Sequence, residues 1–362
     1  MTNRERFVNC ILGKKIDRVP FIYYFGPWGE TVLRWRNEGA PNDNAWIEDK
    51  GYDCGIQTIS SYINTGYYPE FDQTVISETE SIVTIADRWG NYTECAKGHS
   101  TIPHTTQFAV YDRKSWEKIK KERLNPNSSG RYCNNFNEII RNMESIDAPI
   151  QLGIYPYGVF GTAREILGVE NVLFTFYDDP ELLKDIMNTL TDLWLSIFEN
   201  VCKYIQVDII HIWEDMSGKQ GSLISPKMVE EFMLPNYRKI REFADKHDIP
   251  VICVDTDGMC EELIPLFAGA GVNLMLPFEV TAGCDVVELR KKYPQMAMMG
   301  GIDKTEIAKG KAAIDIELNR IKPLLSESGY IPALDHLIHP EISYPDYCYF
   351  IDKLKSMIHN QC

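Results

Sequence analysis

The chain has 362 residues, 37 basic against 52 acidic, for a net charge of −15. That balance offers no basic stripe and repels polyphosphate, which excludes nucleic acid as an expected partner. A hydrophobic fraction of 44% suffices for a large core, yet no stretch reaches the roughly 18 uninterrupted apolar residues of a membrane span.

Ten cysteines without a Cys-x-x-Cys pair fit neither a zinc knuckle nor a disulfide scaffold. They read as small core residues of a reducing cytosol. The first residues lead into an amphipathic helix with no apolar segment of the signal-peptide kind, so a cytoplasmic location is expected.

In chain order, a helix over residues 2–14 precedes a first strand at 21–25, broken by Pro27-Trp28-Gly29, and a second helix at 30–37. Residues 70–110 alternate polar with β-branched side chains around Trp89-Gly90-Asn91, which predicts an antiparallel insertion. The loop at 125–130 (Asn-Pro-Asn-Ser-Ser-Gly) reads as a hinge. From Pro149 the pattern turns regular: a strand at 150–154, helices at 163–168 and 180–204, a strand at 208–213, and a helix opening at Ser225-Pro226 and running to His247. Strands at 250–254, 272–277, 296–299 and 330–334 follow, with helix-length segments between most of them. That order requires parallel strands with right-handed crossovers, in a single (β/α)8 barrel spanning residues 1–362 with an elaborated N-terminal segment.

The strands after residue 207 end in acidic or histidine side chains, so these gather at one end of the sheet, the end where barrel enzymes carry their chemistry. Asp255 and Asp257 are alternate residues and should converge. Together they could bind a cation, orient a substrate or hold a metal, while helix capping is the alternative for Asp257. His336 could be a metal ligand or a general acid or base, or could bond only a loop carbonyl. His339 would join it on a metal only if the loop were helical, which Pro340 opposes. Of Glu214 and Asp215, Glu214 is taken to face the pocket. Glu279 has a similar position, with a buried salt bridge as its alternative. Gly300-Gly301 would allow close approach of a ligand beside Asp303, which capping explains equally well. Tyr24 and Trp28 belong to an aromatic first segment that packs in the core or walls an apolar ligand.

Asp255-Thr256-Asp257-Gly258, Gly300-Gly301-Ile302-Asp303, the run from Gly329 to His336 and the early run from Arg34 to Gly39 resemble the uroporphyrinogen decarboxylase superfamily, in its branch of corrinoid-dependent methyltransferases. The resemblance implies a (β/α)8 barrel that moves a methyl group between a small methylated substrate and the cobalt of a cobalamin held by a corrinoid protein partner. For such a reaction the strand-end residues Asp257, His336, Asp255 and Glu214 are the expected catalytic groups, with Trp28, Tyr24, Glu279, Asp303 and Gly301 expected against the substrate. Two departures accompany the resemblance. Residues 21–29 lack the arginines with which decarboxylases grip substrate carboxylates. Asp255-x-Asp257 stands where methyltransferases carry a His-x-Cys zinc pair, with His336 near the third ligand, so any zinc would sit on Asp255, Asp257 and His336, a harder donor set. A decarboxylase or lyase with Asp257 as proton donor and a non-catalytic ligand-binding barrel are the alternatives. Exposed apolar helices would suit a homodimer.

Overall fold

The computed structural model describes residues 1–41, 50–98 and 103–360. Cys362 and part of the 70–110 insertion lie outside the described residues. Seven parallel strands form one sheet, with neighbours in sequence order: β1 (Gln57–Thr58), β2 (Ile150–Leu152), β3 (Ile209–Trp213), β4 (Val251–Thr256), β5 (Leu274–Pro277), β6 (Ala297–Ile302) and β7 (Tyr330–Leu334). Both faces are covered, as in all-parallel sheets. Ile209, Val251, Cys253, Leu274, Leu276, Ala297, Met299, Ile331 and Ala333 form an inner cluster. Their neighbours Ile210, Ile252, Val254, Met275, Met298 and Tyr330 pack in the larger cluster with the helices. This two-residue alternation makes the curled sheet a barrel of the expected α/β type.

The first strand expected at 21–25 is absent from the ladder. The segment nevertheless occupies the eighth position: Ile22 packs in the inner cluster with Tyr24 and Phe25 against it, while Phe21 belongs to the outer one. Its composition suits a strand, but the neighbouring β1 is only two residues long. Side-chain packing and isolated bonds therefore close the seam, among them Asp53 N to Phe21 O (2.7 Å) and Trp28 N to Ile338 O (3.1 Å).

The first helix, Asn3–Ile11, capped by Thr2, lies under the barrel. Phe7, Cys10 and Ile11 enter the inner cluster, and Cys10 O accepts from Gly329 N just before β7 (2.7 Å). Four antiparallel strands (Thr74–Glu78, Ile82–Ala86, Tyr92–Ala96, His104–Gln107) make a separate sheet. The helix expected from Ser225 begins under that cap, passes through a π turn at Val229–Met233 and resumes as Leu234–Lys246. Pro235 has no N–H to offer the preceding turn, which accounts for the wider turn there. Among the described residues no helix is long and apolar enough to cross a membrane.

The 125–130 loop expected as a hinge is pinned. Buried Arg131 donates to the carbonyls of Asn64, Gly66, Arg123 and Asn125 at 2.8 to 2.9 Å. Arg131→Ala leaves four carbonyls without that donor and should lower the unfolding free energy by about 3 kcal/mol. Arg131→Lys should recover only part of it, because an ammonium lacks the planar fork. Urea unfolding of the three proteins checks this, and equal midpoints would refute it.

Candidate active site

Strand β4 delivers two carboxylates to the mouth. Asp255 continues the inward series of Val251 and Cys253, and its Oδ2 lies 3.6 Å from Nε2 of His211 on β3. Beyond the strand end, Asp257 Oδ2 lies 3.4 Å from Nε2 of His336, which follows β7. Both partners of this outer pair keep about a third of their side-chain surface open, at 32% and 27%. Phe25 stacks on the His336 ring with centroids 5.5 Å apart. The seam segment thus supplies one wall of the site. Two imidazole–carboxylate pairs stand one behind the other, and the two expected residues, Asp257 and His336, meet.

Their charge states follow from their surroundings. Burial works against the His336 imidazolium, but the hydrogen bond and charge of Asp257 outweigh it and hold the imidazole pKa above its ordinary value. Burial pushes Asp255 up, opposed by His211 and reinforced by the Asp257 charge. His211 was not singled out from sequence, and its Nδ1 is a buried atom without a hydrogen-bond partner.

Glu214 is turned away from the mouth, contrary to expectation. It is fully buried and accepts from the amides of Val159 (3.0 Å), Phe160 (2.7 Å) and Gly161 (2.9 Å) and from the Tyr237 hydroxyl (2.5 Å). It caps the helix Val159–Leu167, whose N-cap, Gly158, has no side chain to do so. Burial pushes its carboxyl up to about 7 against these four donors. Asp215 faces the mouth instead. It takes φ 41°, pairs with Arg164, and feels the charges of Asp257 and His336. The Arg164 guanidinium lies 5.5 Å from the ring centre of Trp213, which Tyr155 meets edge-on at 4.7 Å.

Glu279 takes the salt-bridge reading. It lies 3.5 Å from Lys304 Nζ and accepts from Gly258 N at 3.1 Å. Lys304 also lies 3.4 Å from Asp335, whose oxygens accept from the amides of Val280 (3.0 Å) and Lys304 (3.2 Å). Asp335 therefore belongs to Lys304 and not to His336. Asp303 caps the turn that follows it through Thr305 N at 2.7 Å, and Gly301 packs on Val286 while its carbonyl accepts from Arg320. Neither serves the mouth. Tyr24 lies beside Asp255 and Cys253 and is pushed well above the ordinary phenol value by burial. Trp28 meets His339 edge-on at 6.3 Å, and its Nε1 is buried without a partner. His339 lies 3.9 Å from Glu341.

The three residues expected on a metal are divided, Asp255 toward His211 and Asp257 toward His336. Among the described residues no three His, Cys, Asp or Glu side chains converge to hold an ion. As placed, these donors do not fit a catalytic zinc, which needs three protein ligands.

A parallel α/β barrel with paired imidazoles and carboxylates at the C-terminal ends of its strands defines the class. The family model described as Uroporphyrinogen decarboxylase (URO-D) matches residues 76–357, and the chain belongs to that family. Among solved structures it is similar to a methyltransferase from Methanosarcina mazei, with 14% identity, a TM-score of 0.56 and 99% of each chain covered. A putative vitamin-B12-independent methionine synthase from Listeria monocytogenes also matches, at 13% identity and a TM-score of 0.29 over 62% of this chain and 68% of that one. No curated protein matches the chain.

Because three amides and a phenol share one acceptor, Glu214→Ala should lower the unfolding free energy by about 3 kcal/mol. Glu214→Gln keeps one acceptor oxygen and should cost less. Denaturant unfolding measures both, and a loss below about 1 kcal/mol in the alanine variant would contradict the capping role.

Proposed function

We propose that this protein is a methyl-transfer enzyme acting between a small methylated substrate and a corrinoid carried by a separate protein. The observation that carries the reading is the half-open Asp257–His336 pair, 3.4 Å apart at the active end of a barrel and walled by Phe25. Family membership and the fold shared with the Methanosarcina methyltransferase support it.

A reduced corrinoid supplies a strong nucleophile for the methyl carbon. The task of this chain is to improve the leaving group. As the carbon–heteroatom bond breaks, its electron pair passes to the heteroatom, which takes a proton from His336. With Nε2 held on Asp257, Nδ1 is the nitrogen that delivers that proton, and Asp257 keeps the imidazolium populated beforehand. Glu279 adds a further acidic influence on the same imidazole, and Asp255 stands behind, paired with His211. Asp215, Asp255, Asp257 and Glu279 make the mouth hostile to a polyanionic tetrapyrrole and receptive to a neutral or cationic methyl donor. Tyr155, 60% exposed beside Trp213, and Trp28 offer the flat apolar surface that a corrin face requires.

Methyl transfer to free cob(I)alamin from a panel of methyl ethers, thioethers and amines, followed optically, tests the reading. Asp257→Asn and His336→Ala should each slow transfer about 100-fold or more. The active form is the imidazolium, so the rate is full at low pH and falls as pH rises through the raised His336 value. Asp257→Asn removes the group that raises it and should move that fall to lower pH. Unchanged rates in both variants, or release of carbon dioxide without any corrinoid, would sink the assignment.

A further inference from the structure

Three sulfur atoms gather just behind the rim, between the loop that follows β4 and the segment that follows β5. Cys260 Sγ lies 3.9 Å from Cys284 Sγ, and Cys284 Sγ lies 4.0 Å from Met259 Sδ. Cys260 and Cys284 are 1% and 0% exposed, Met259 is half-buried, and both cysteines are free thiols. Cys284 also donates to Gly258 O at 3.4 Å, which places the cluster one residue from Asp257.

An ion bound in the plane of three sulfurs at about 2.3 Å from each sets them about 4 Å apart. Two of the three separations, those from Cys284 to Cys260 and to Met259, already have that length. The donor set then decides which ion. A thioether and two thiolates are soft ligands, which select Cu(I) among available ions. Zinc in proteins takes thiolate, imidazole and carboxylate, usually four in all, and among the described residues no third such donor joins the two cysteines. The two thiols lie within hydrogen-bond reach of each other. Their mutual hydrogen bond holds the Cys284 thiol below its ordinary value and, with burial, pushes that of Cys260 well above it.

We propose that Met259, Cys260 and Cys284 form a three-sulfur site for a soft monovalent d10 cation, Cu(I) being the fitting ion, distinct from the Asp257–His336 pair. Binding forms two copper–thiolate bonds and one copper–thioether bond and releases the two thiol protons, with no change in oxidation state. The half-buried Met259 side chain is the way in. Once bound, the ion joins the loop carrying Asp257 to the segment following Glu279, across the junction where Glu279 already accepts from Gly258 N.

The test offers Cu(I) as its bicinchoninate complex to the full-length protein, without oxygen. The protein should withdraw one equivalent and develop a near-ultraviolet sulfur-to-copper band. Cys260→Ser and Cys284→Ser should each lose that equivalent, whereas Cys253→Ser, which alters a separate buried thiol, should retain it. Met259→Leu keeps the thiols and the packing volume, and should weaken binding by about tenfold. That variant keeps the test decisive even where a serine variant fails to fold. Uptake that is unchanged in the serine and leucine variants, equal displacement by Zn(II), or a Cys260–Cys284 disulfide in the purified protein would each overturn the proposal. None of these results bears on methyl transfer by Asp257 and His336, so the two readings fail separately.

Discussion

One buried carboxylate organises the rim. Glu214 leaves β3 and ends against three amides at the start of Val159–Leu167 and the Tyr237 hydroxyl. A helix start carries partial positive charge and unsatisfied N–H groups, so an anion there anchors the helix directly onto a strand end. The approach is close enough that a Cβ on Gly158 or Gly161 would stand 1.6 or 2.2 Å from Trp213 O. The glycines are needed for that contact between backbones. With Glu214 drawn inward, the chain turns through positive φ at Asp215 and presents that carboxylate to the mouth.

Charges at the mouth are distributed in the same paired manner. His211 serves Asp255, His336 serves Asp257, Arg164 serves Asp215, and Lys304 lies between Glu279 and Asp335. Every carboxylate there has a partner, yet five acids face two permanent cations. His336, held protonated more readily by Asp257, offsets part of that excess, and it is the more open of the two imidazoles, at 27% against 5%. A proton on His336 is therefore favoured by its neighbours and still within reach of a ligand.

Strands β3 to β7 are legible in the sequence because a parallel strand buried on both faces is a continuous apolar run, and runs such as 272–277 and 330–334 contain little else. β1 escapes detection because two residues, Gln57 and Thr58, carry no pattern. The meeting of Asp257 with His336 follows from where the strands end. The choice between Glu214 and Asp215 does not, since the backbone at Asp215 breaks the simple alternation that the sequence implies. Asp303 and Gly301 are governed by local caps and packing that a glycine pair cannot reveal. Lys304 and His211 stand out little in the sequence, because a lysine usually reads as solvated and a mid-strand histidine as core. The position of Lys304, directly after Asp303 at a strand end, is the signal the sequence offers.

The helix Asn3–Ile11 seals the lower end of the barrel with Phe7, Cys10 and Ile11, and binds its edge through Cys10 O to Gly329 N. With that end filled by packed side chains, a guest bound for Asp257 approaches from the opposite, acid-lined end.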